Sequence, residues 1–395
     1  MLRPIITSLI FLSCLPWSVS AVEINGKVGF SALLFQHSPQ YQQQHNQQAS
    51  LLAEVEFYQG WNNDLDSLLF KPYARIDQQD SERSHFDIRE LMWLHVNEED
   101  NWELRTGIGK VFWGVNETNH LVDIINQDDQ VDDIGGDPKL GQAMINLSLI
   151  KDWGVLDFFI LPGFRERTFP GEEGRLGGPL AIDTKHAEFE SSAGKKHTDI
   201  AVRWSHTIDA YDMGIYYFQG TNRDPRFLPH QNTQGQISLI PYYDQINQFG
   251  LDFQATLEEW LWKLELIHRQ DQFDTFVAAS GGFEYTLIGI MESAIDLGVI
   301  MEYSWDQRDD PLLSQFQNDI MLGARLTFND AQSTDFLAGI VQDMDYDKLR
   351  SFQIEASRRL GKDWKLSIEL RLFSDHLLNP ISEDDHVQLT LEKYF

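Results

Sequence analysis

The stretch DWKLSIELRLFSD (residues 363–375) decides the fold class. Every second position in it carries a large apolar side chain: Trp364, Leu366, Ile368, Leu370 and Leu372. Lysine, serine, glutamate and arginine fill the positions between them. A strict period of two is typical of a β-strand whose two faces meet different media. One face of this strand suits hydrocarbon and the other suits water.

The same alternation recurs along the chain, at 51–59, 68–77, 198–206, 249–257, 260–269 and 318–328. Segments of about ten residues, apolar on one face and polar on the other and separated by turns, are the signature of a transmembrane β-barrel. After Ala21 no stretch approaches the roughly 18 apolar residues that a spanning helix needs. The sequence therefore predicts an all-β fold, a transmembrane antiparallel β-barrel.

The connections between these segments alternate in length. The short ones fall at 60–64, 97–100, 151–154, 207–211, 258–259, 291–294, 329–332 and 361–363. The long ones fall at 36–48, 78–84, 114–139, 165–196, 221–245, 306–316 and 374–385, and short connections near 270–274 and 343–348 break the alternation. Short periplasmic turns and long extracellular loops are expected of an outer-membrane barrel. Counting strands gives about 18, with 16 as the alternative, and both termini on the periplasmic side.

Aromatic residues gather at the short turns: Trp61, Trp102, Trp153, Tyr211, Trp260 and Trp364. In membrane barrels such residues form girdles at the two interfaces between lipid and water. Aromatic residues scattered through a soluble core would show no bias towards one class of turn. The pattern thus favours a barrel surrounded by outer-membrane lipid.

The first 21 residues read as a secretory signal peptide. Arg3 provides the basic start, an apolar run follows from Ile5 to Trp17, and small residues end at Ala21. The alternative is a lipoprotein cleavage box that ends at Cys14, which the apolar run continuing past it disfavours. We predict removal of residues 1–21 and a single barrel domain over 22–395. Because Cys14 is the only cysteine, no disulfide or thiol chemistry is expected after removal.

Two sequence motifs resemble those of known protein families. The string RTGIGKVFWG (105–114) resembles the strand-and-loop motif of porin-like proteobacterial families. The longer string FWGVNETNHLVDIINQ (112–127) resembles an uncharacterised outer-membrane protein family. The resemblance implies a barrel in the outer membrane of a Gram-negative bacterium and supplies no established substrate. The final strand VQLTLEKYF (387–395) resembles the signal read by the barrel-assembly machinery, although Lys393 interrupts its apolar face.

A barrel of 16–18 strands leaves an aqueous lumen unless it is plugged. We therefore expect a porin-like channel for passive diffusion of small hydrophilic solutes or ions. Inward positions of mixed charge are the candidate pore lining: Arg75, Arg89, Arg105, Arg203, Lys263, Glu265, Arg325, Glu369 and Arg371.

The connection 114–139 is the candidate constriction loop, folded inward, with Glu117, His120 and Asp123 near the narrowest point. Its apolar residues Leu121, Val122, Ile124 and Ile125 have the spacing of one face of a short helix. An extracellular loop that packs only on its neighbours is the alternative.

Two other function classes stay open. One is a non-conducting barrel that acts as a partner in export or envelope assembly. The other is an outer-membrane hydrolase, for which His85 and Asp87 lie on one strand face, although no convergent base and orienting group can be seen. We expect no enzyme, cofactor or metal site. The net charge of −30 argues against nucleic acid, and a homo-oligomer is left open because no interface is marked.

Overall fold

The computed structural model describes residues 21–135, 138–231, 237–310, 313–376 and 378–395. The predicted signal peptide, apart from Ala21, lies outside the described residues. The described residues contain twenty-one strands: β1 (Glu23–Phe35), β2 (Gln47–Trp61), β3 (Asp66–Asp77), β4 (His85–Asn97), β5 (Trp102–Gly109), β6 (Gln142–Lys151), β7 (Gly154–Pro162), β8 (Glu188–Phe189), β9 (Thr198–Ile208), β10 (Tyr211–Thr221), β11 (Arg226–Gln231), β12 (Ile237–Tyr243), β13 (Gln245–Leu257), β14 (Trp260–Gln270), β15 (Thr275–Leu287), β16 (Asp296–Asp306), β17 (Asn318–Thr327), β18 (Asp335–Asp343), β19 (Arg350–Leu360), β20 (Trp364–Phe373) and β21 (His386–Tyr394).

Eighteen of these strands form one sheet in which each strand pairs antiparallel with its neighbours. The sheet closes on itself because β1 pairs with both β2 and β21, with Phe30 opposite Leu391. The prediction of an all-β barrel of 18 strands is confirmed, and the alternative of 16 is wrong. The three remaining strands, β8, β11 and β12, form a small separate sheet within the connections.

Alternation along each strand sorts side chains between the outside and the inside of the barrel. On β14, Trp262, Leu264 and Leu266 are exposed on the outside, while Lys263 and Glu265 are buried inside. Successive side chains of a strand point to opposite faces, so polar residues between apolar ones must point into the lumen. An apolar outer surface and a charged interior follow directly from the period of two.

Three-residue 3-10 helices span Thr184–His186, Gly194–Lys196 and Ile290–Glu292. In the described part of the chain, no helix has the length and apolar character required to cross a membrane.

The connections separate by length between the two ends of the barrel. At one end, here the turn end, they span 62–65, 98–101, 152–153, 209–210, 258–259, 288–295, 328–334 and 361–363. At the other, the loop end, they span 36–46, 78–84, 110–141, 163–197, 222–244, 271–274, 307–317, 344–349 and 374–385. The tight turns use left-handed backbone, as at Asn62 and Asn63 (φ 56° each), which asparagine tolerates better than most residues. The predicted alternation, including the two short connections at the loop end, is confirmed.

The aromatic residues predicted for the short turns lie at the turn end. Trp61 ends β2, Trp153 lies in the two-residue turn between β6 and β7, and Trp260 begins β14, where its ring lies 4.5 Å from that of Tyr285. Trp102, Tyr211 and Trp364 likewise begin their strands. Aromatic rings therefore mark the turn end of strands all round the barrel.

Candidate functional site

The connection between β5 and β6, residues 110–141, runs through the lumen, and we call it the lumen segment. It first crosses to β14 on the far wall, where a single carboxylate accepts hydrogen bonds from its backbone. Glu265 accepts the backbone N–H groups of Val115 (2.7 Å), Asn116 (3.0 Å) and Val122 (3.2 Å). Hydrogen bonds to a charged acceptor are stronger than neutral ones. Glu265 thus anchors the crossing chain.

The same crossing continues along β16 and β17. Glu302 accepts the backbone N–H groups of Glu117 (2.6 Å) and Thr118 (3.0 Å). The side chain of Glu117 then accepts a hydrogen bond of 2.7 Å from Arg325. Lys263 lies 3.8 Å from the carboxylates of both Glu117 and Glu302. The segment is therefore tied to four adjacent inward positions of the far wall.

An apolar core forms where the segment turns back. Val122, Ile124 and Ile125 are at most 1% exposed. The ring of Trp113 lies 4.7 Å from that of Tyr216, and the two ring planes are tilted by 42°. They pack on inward apolar residues of β6 to β15: Met144, Phe159, Leu161, Ala201, Tyr216, Phe218, Ile246, Ile267, Phe276 and Ala278. Full burial of one such side chain stabilises by about 1.5–3 kcal/mol. This half of the lumen is consequently filled like the interior of a soluble protein.

The returning part of the segment meets arginines on the opposite wall. Asp129 accepts a hydrogen bond of 2.5 Å from Arg89, which also lies 3.2 Å from Asp132. Asp132 lies 2.5 Å from Arg75. Burial raises the pKa of Asp132, but the guanidinium groups around it outweigh burial and hold the net pKa below its ordinary range. Ion pairs, rather than apolar packing, therefore hold the returning part of the lumen segment.

The returning part of the lumen segment also contacts an arginine of β20. Arg371 donates a hydrogen bond of 3.0 Å to Asp133 and also contacts the neighbouring carboxylate of Glu369. The segment thus spans the lumen from β14–β17 on one side to β3, β4 and β20 on the other.

The predicted helix within the segment is wrong, since residues 111–127 contain bends and turns but no helix. Carboxylates compete for the N–H groups that a helix would use. Asp123 accepts those of Trp113 (2.7 Å) and Gly114 (2.9 Å), and Glu265 accepts three more. The apolar residues share a face because they follow the curved wall of the barrel.

Loops at the loop end cover part of the mouth. Arg175 donates to the carboxylate of Asp384 (2.6 Å), to the carbonyl of Glu383 (2.9 Å) and to that of His37 (3.3 Å). The Arg175 side chain is 2% exposed, so these bonds are shielded from water. One arginine therefore joins the connection 163–197 to those at 36–46 and 374–385.

One space inside the barrel lies along the wall formed by β17 to β21, and a smaller one lies beside β1, β2, β20 and β21. The larger has a volume of 270 Å³ and lies in the turn half of the lumen. Its charged lining comprises Glu117, Arg325, Asp335, Glu355, Lys365 and Glu369. The smaller has a volume of 20 Å³, lies in the loop half, and is lined by Asp132, Asp133, Arg175 and Arg371 among others. Glu369 and Gln388 line both spaces, so the two spaces are neighbours.

The nine candidate lining residues occupy different surroundings inside the barrel. Arg75, Arg89 and Glu265 are buried against the lumen segment. Arg203 donates two hydrogen bonds, 2.5 and 2.8 Å long, to Asp252, and its guanidinium lies 5.0 Å from the ring centre of Trp113.

The other five candidates are Arg105, Lys263, Arg325, Glu369 and Arg371. Arg325 and Glu369 line the larger space, and Arg371 lines the smaller one. Lys263 is buried beside Glu117. Arg105 lies in the turn half of β5, 44% exposed and bonded to Glu103 at 2.7 Å.

The three candidate constriction residues are separated by the fold. Glu117 reaches the larger space and pairs with Arg325. Asp123 bonds within the segment, and His120 packs on Gly114, where an added Cβ would lie 2.6 Å from the imidazole Nδ1. The structure therefore places Glu117 beside the larger space and the other two inside the segment.

Asp129, Asp132 and Asp133 belong to the site, and the sequence analysis did not single them out. Their partners Arg75, Arg89 and Arg371 are buried inward arginines, and a buried charge needs a partner of opposite sign. The sequence could not name that partner, because Arg89 and Arg371 also have carboxylates on their own strands, Asp87 at 3.4 Å and Glu369. Arg175 carried no sequence signal, since loop composition does not reveal which loops meet.

The candidate catalytic pair does not form a joined unit. Across the described ranges no hydrogen bond links His85 to Asp87; Asp87 accepts from Arg165 at 2.9 Å, and His85 Nδ1 lies 3.1 Å from the carbonyl of Arg83. Among the described residues, no group of three or more histidine, cysteine, aspartate and glutamate side chains is arranged to hold a metal ion.

The described residues form a closed antiparallel barrel of eighteen strands whose lumen is crossed by one connection. No family model and no curated protein matches the chain. Among solved structures, one mutant of Rhodopseudomonas blastica porin is similar with a TM-score of 0.46 and 10% identity, and covers 95% of this chain and 100% of that chain. Another mutant of this porin has a TM-score of 0.47 and 9% identity over the same shares. Identity this low assigns neither a family nor a solute.

Proposed function

We propose that the chain is an outer-membrane channel for passive diffusion of small hydrophilic solutes or ions. The observation that carries the proposal is the space of 270 Å³ between the lumen segment and the β17–β21 wall. It is lined by carboxylates and cations of the chain and is wide enough for several water molecules. Solutes would pass Glu117 and Arg325, then Glu369, towards the loop end.

The surroundings of the barrel belong to the same proposal. The exposed apolar side chains on the outside, such as Ile215, Leu264 and Leu322, suit lipid. The aromatic residues at the turn end suit a membrane interface. We propose the outer membrane of a Gram-negative bacterium as the location, assembly through the C-terminal strand, and no catalytic activity. Association of like copies in the membrane would be compatible with this outer surface.

The charge of the route suggests a preference for cations. Glu117, Asp335, Glu355 and Glu369 face two basic residues, Arg325 and Lys365, in the larger space. Charged side chains in a narrow pore select ions by their sign. The expected selectivity is modest, since Arg325 directly pairs with Glu117.

The second candidate function, a non-conducting barrel that acts as a partner in export or envelope assembly, is favoured by one observation. The space in the loop half has a volume of only 20 Å³. Arg175 and its partners cover the mouth above it. A barrel that stays sealed there would pass no solute.

Single-channel recording of the refolded protein in a planar bilayer, with the reversal potential under a salt gradient, tests the proposal. Discrete open steps are expected, with a reversal potential that indicates cations. A correctly folded barrel that gives no steps would overturn the channel and favour the sealed barrel.

Cysteine substitution tests the route itself, because the only cysteine, Cys14, lies in the predicted signal peptide. Ser367→Cys places a thiol in the larger space, and Ile340→Cys places one on the outer face as the matched control. A charged, water-soluble thiol reagent is expected to change the conductance of the first variant only. Equal response, or none, in a conducting barrel would place the route elsewhere.

A further inference from the structure

Residues 164–180 cover part of the mouth at the loop end, and we call them the lid. The outer end of the lid is bound to the loops around it. Arg175 and the N–H of Leu176 both donate to the carboxylate of Asp384, at 2.6 and 3.1 Å. Loop side chains add two bonds, from Gln44 to the carbonyl of Gly174 at 2.8 Å and from Tyr41 to that of Pro179 at 2.5 Å. These bonds keep the outer end of the lid closed over the mouth.

The inner end of the lid is bound to the lumen segment. Arg167 donates to the carboxylate of Asp128 at 2.9 Å, and the Thr168 hydroxyl donates to that of Asp129 at 2.7 Å. The same hydroxyl accepts the backbone N–H of Val131 at 3.4 Å, and the backbones of Asp129 and Thr168 form a parallel β-bridge. The two ends of the lid are only a few positions apart in sequence. One short stretch of chain therefore contacts both the mouth and the lumen.

The stretch between the two ends is a tight turn packed against Asp80. The N–H of Gly174 donates to the carbonyl of Gly171 at 3.1 Å and closes the turn. The N–H of Gly171 donates to the Asp80 carboxylate at 3.0 Å, and a Cβ added at Gly174 would clash with the same carboxylate. Packing this close leaves the turn no room to bend in place. A displacement of one end of the lid is therefore passed to the other.

The outer end of the lid contains strained backbone. Leu176 has φ 70°, in the left-handed region that a leucine rarely adopts because its Cβ lies too close to the backbone. Strain of this kind persists only where neighbouring contacts hold it, and it is found at switches and ligand clamps. The contact here is the bond from the Leu176 N–H to Asp384. Loss of that contact would let Leu176 relax and would release the outer end.

The lid and the lumen segment together enclose the smaller space. Pro170, Arg175 and Leu176 line it from the lid, and Val131 and Ile134 line it from the segment. Its volume of 20 Å³ has room for about one water molecule. The width of this space therefore depends on the positions of both elements.

We propose that the lid and the returning part of the lumen segment form one coupled gate. Release of Arg175 at the mouth loosens the segment at Asp129, and loosening of the segment releases the mouth. Such coupling is a free energy shared by two sites, so it acts equally in both directions. Opening of the gate widens the smaller space. The passage of solutes through it rests on the proposed channel function, whereas the coupling itself does not.

Amide hydrogen exchange of the full refolded barrel tests the coupling whether or not the barrel conducts. Arg175→Ala should accelerate exchange of the Leu176 amide at the mouth. It should also accelerate exchange of Asp129 and Leu140, whose N–H groups are hydrogen-bonded within the lumen segment, by about fivefold or more. Asp384→Asn weakens the same contact from the other side and should give the same pattern.

A double-variant cycle locates the connection between the two ends. Thr168→Val removes the hydroxyl that joins the lid to Asp129 and Val131 and keeps the shape of the side chain. In this background Arg175→Ala should change exchange within the lumen segment by less than about twofold. An effect of Arg175→Ala that stays undiminished in this background would show that Thr168 does not carry the coupling.

The reverse direction is tested from the barrel wall. Arg89→Met removes the guanidinium that holds Asp129 on β4. Because coupling is reciprocal, this variant should accelerate exchange of Leu176 at the mouth. Unchanged exchange of Leu176 in Arg89→Met would contradict the gate.

Arg226→Ala is the matched control. Arg226 is also a loop-end arginine bonded to two carboxylates, Asp244 at 2.9 Å and Asp271 at 2.7 Å, but within the described ranges it bonds to neither the lid nor the lumen segment. It should leave exchange within the segment unchanged. Faster exchange at Leu176 alone in Arg175→Ala would overturn the coupled gate, and so would an equal change in Arg226→Ala. A heat-modifiability gel shows that each variant is a folded barrel.

Discussion

The lumen segment is held by apolar packing on one side of the lumen and by ion pairs on the other. Along β6 to β15 the lumen segment buries Val122, Ile124 and Ile125 against a cluster of inward apolar residues; we call this side of the lumen the apolar half. On the side formed by β17 to β21 and β1 to β4, the segment meets inward arginines through Asp129, Asp132 and Asp133; we call this side the charged half. Both described cavities lie in the charged half.

This difference explains why one side of the lumen is filled while the other keeps two cavities. Apolar packing excludes water and does not respond to pH or salt. Ion pairs keep water and polar groups nearby, and their strength depends on ionisation and screening. The apolar half therefore fixes the segment, whereas the charged half decides how wide the remaining route is. Each half can be perturbed without the other.

The largest effect is expected from breaking the apolar half with Ile124→Asp. A carboxylate at a position that is 1% exposed has no partner there, and its burial costs several kcal/mol. The segment should leave the wall, and single-channel conductance should rise several-fold while the barrel stays folded. Ile124→Val, which costs about 0.5–1.5 kcal/mol, is the matched control and should conduct like the unmodified protein. Unchanged conductance in both variants would show that the segment does not limit the route.

The next effect is expected from removing the anchor on β14 with Glu265→Ala. Three backbone N–H groups lose their acceptor, at about 1–3 kcal/mol for each group left unsatisfied. Amide hydrogen exchange at Val115, Asn116 and Val122 should become faster by about tenfold or more. Glu103→Ala is the control, because Glu103 bonds to Arg105. Equal exchange rates in the two variants would mean that Glu265 does not hold the crossing.

The barrel could be predicted from sequence because the sequence patterns that specify it are local. A period of two, turn residues and aromatic residues at strand ends are all read within a dozen positions, and they gave the strand number and the turns. Inward orientation of Arg75 or Glu369 follows from the same parity. The contacts of those residues could not follow, because Asp132 and Arg75 are 57 positions apart and meet only through the path of the segment.

The path of the lumen segment was harder to predict from sequence than the barrel. The spacing of Leu121, Val122, Ile124 and Ile125 indicated one shared face, which is correct, but helix and curved extended chain both give such a face. The competing acceptors Asp123 and Glu265 decided between them, and the second lies on another strand.

The charged half should respond to pH where the apolar half does not. The pKa of Asp132 lies below the ordinary 3.8, so the stability that its ion pairs contribute is present at neutral pH and at pH 5. It is lost as the pH falls below 3.8 through the lowered pKa. The rise in conductance that depends on Asp132 should therefore begin only below that pH when acid is added on the loop side. Asp132→Asn should show the wider state already at pH 7, and a rise at pH 5–6 that is present in the unmodified protein but absent from Asp132→Asn would contradict this assignment.

The smallest effect is expected where the segment only borders the route. Glu117→Gln removes one negative charge from the larger space and breaks the ion pair of 2.7 Å with Arg325, which keeps Glu284 at 3.7 Å. The backbone anchor to Glu302 does not use the Glu117 side chain and stays intact. The ratio of cation to anion permeability should fall by less than about twofold, because salt screens charges in a water-filled passage. The reversal potential in a salt gradient measures it, with Glu103→Gln, near the turn end and outside the described cavities, as the control. An unchanged ratio in Glu117→Gln would place the ion route away from the β17 wall and leave the charged half as packing rather than passage.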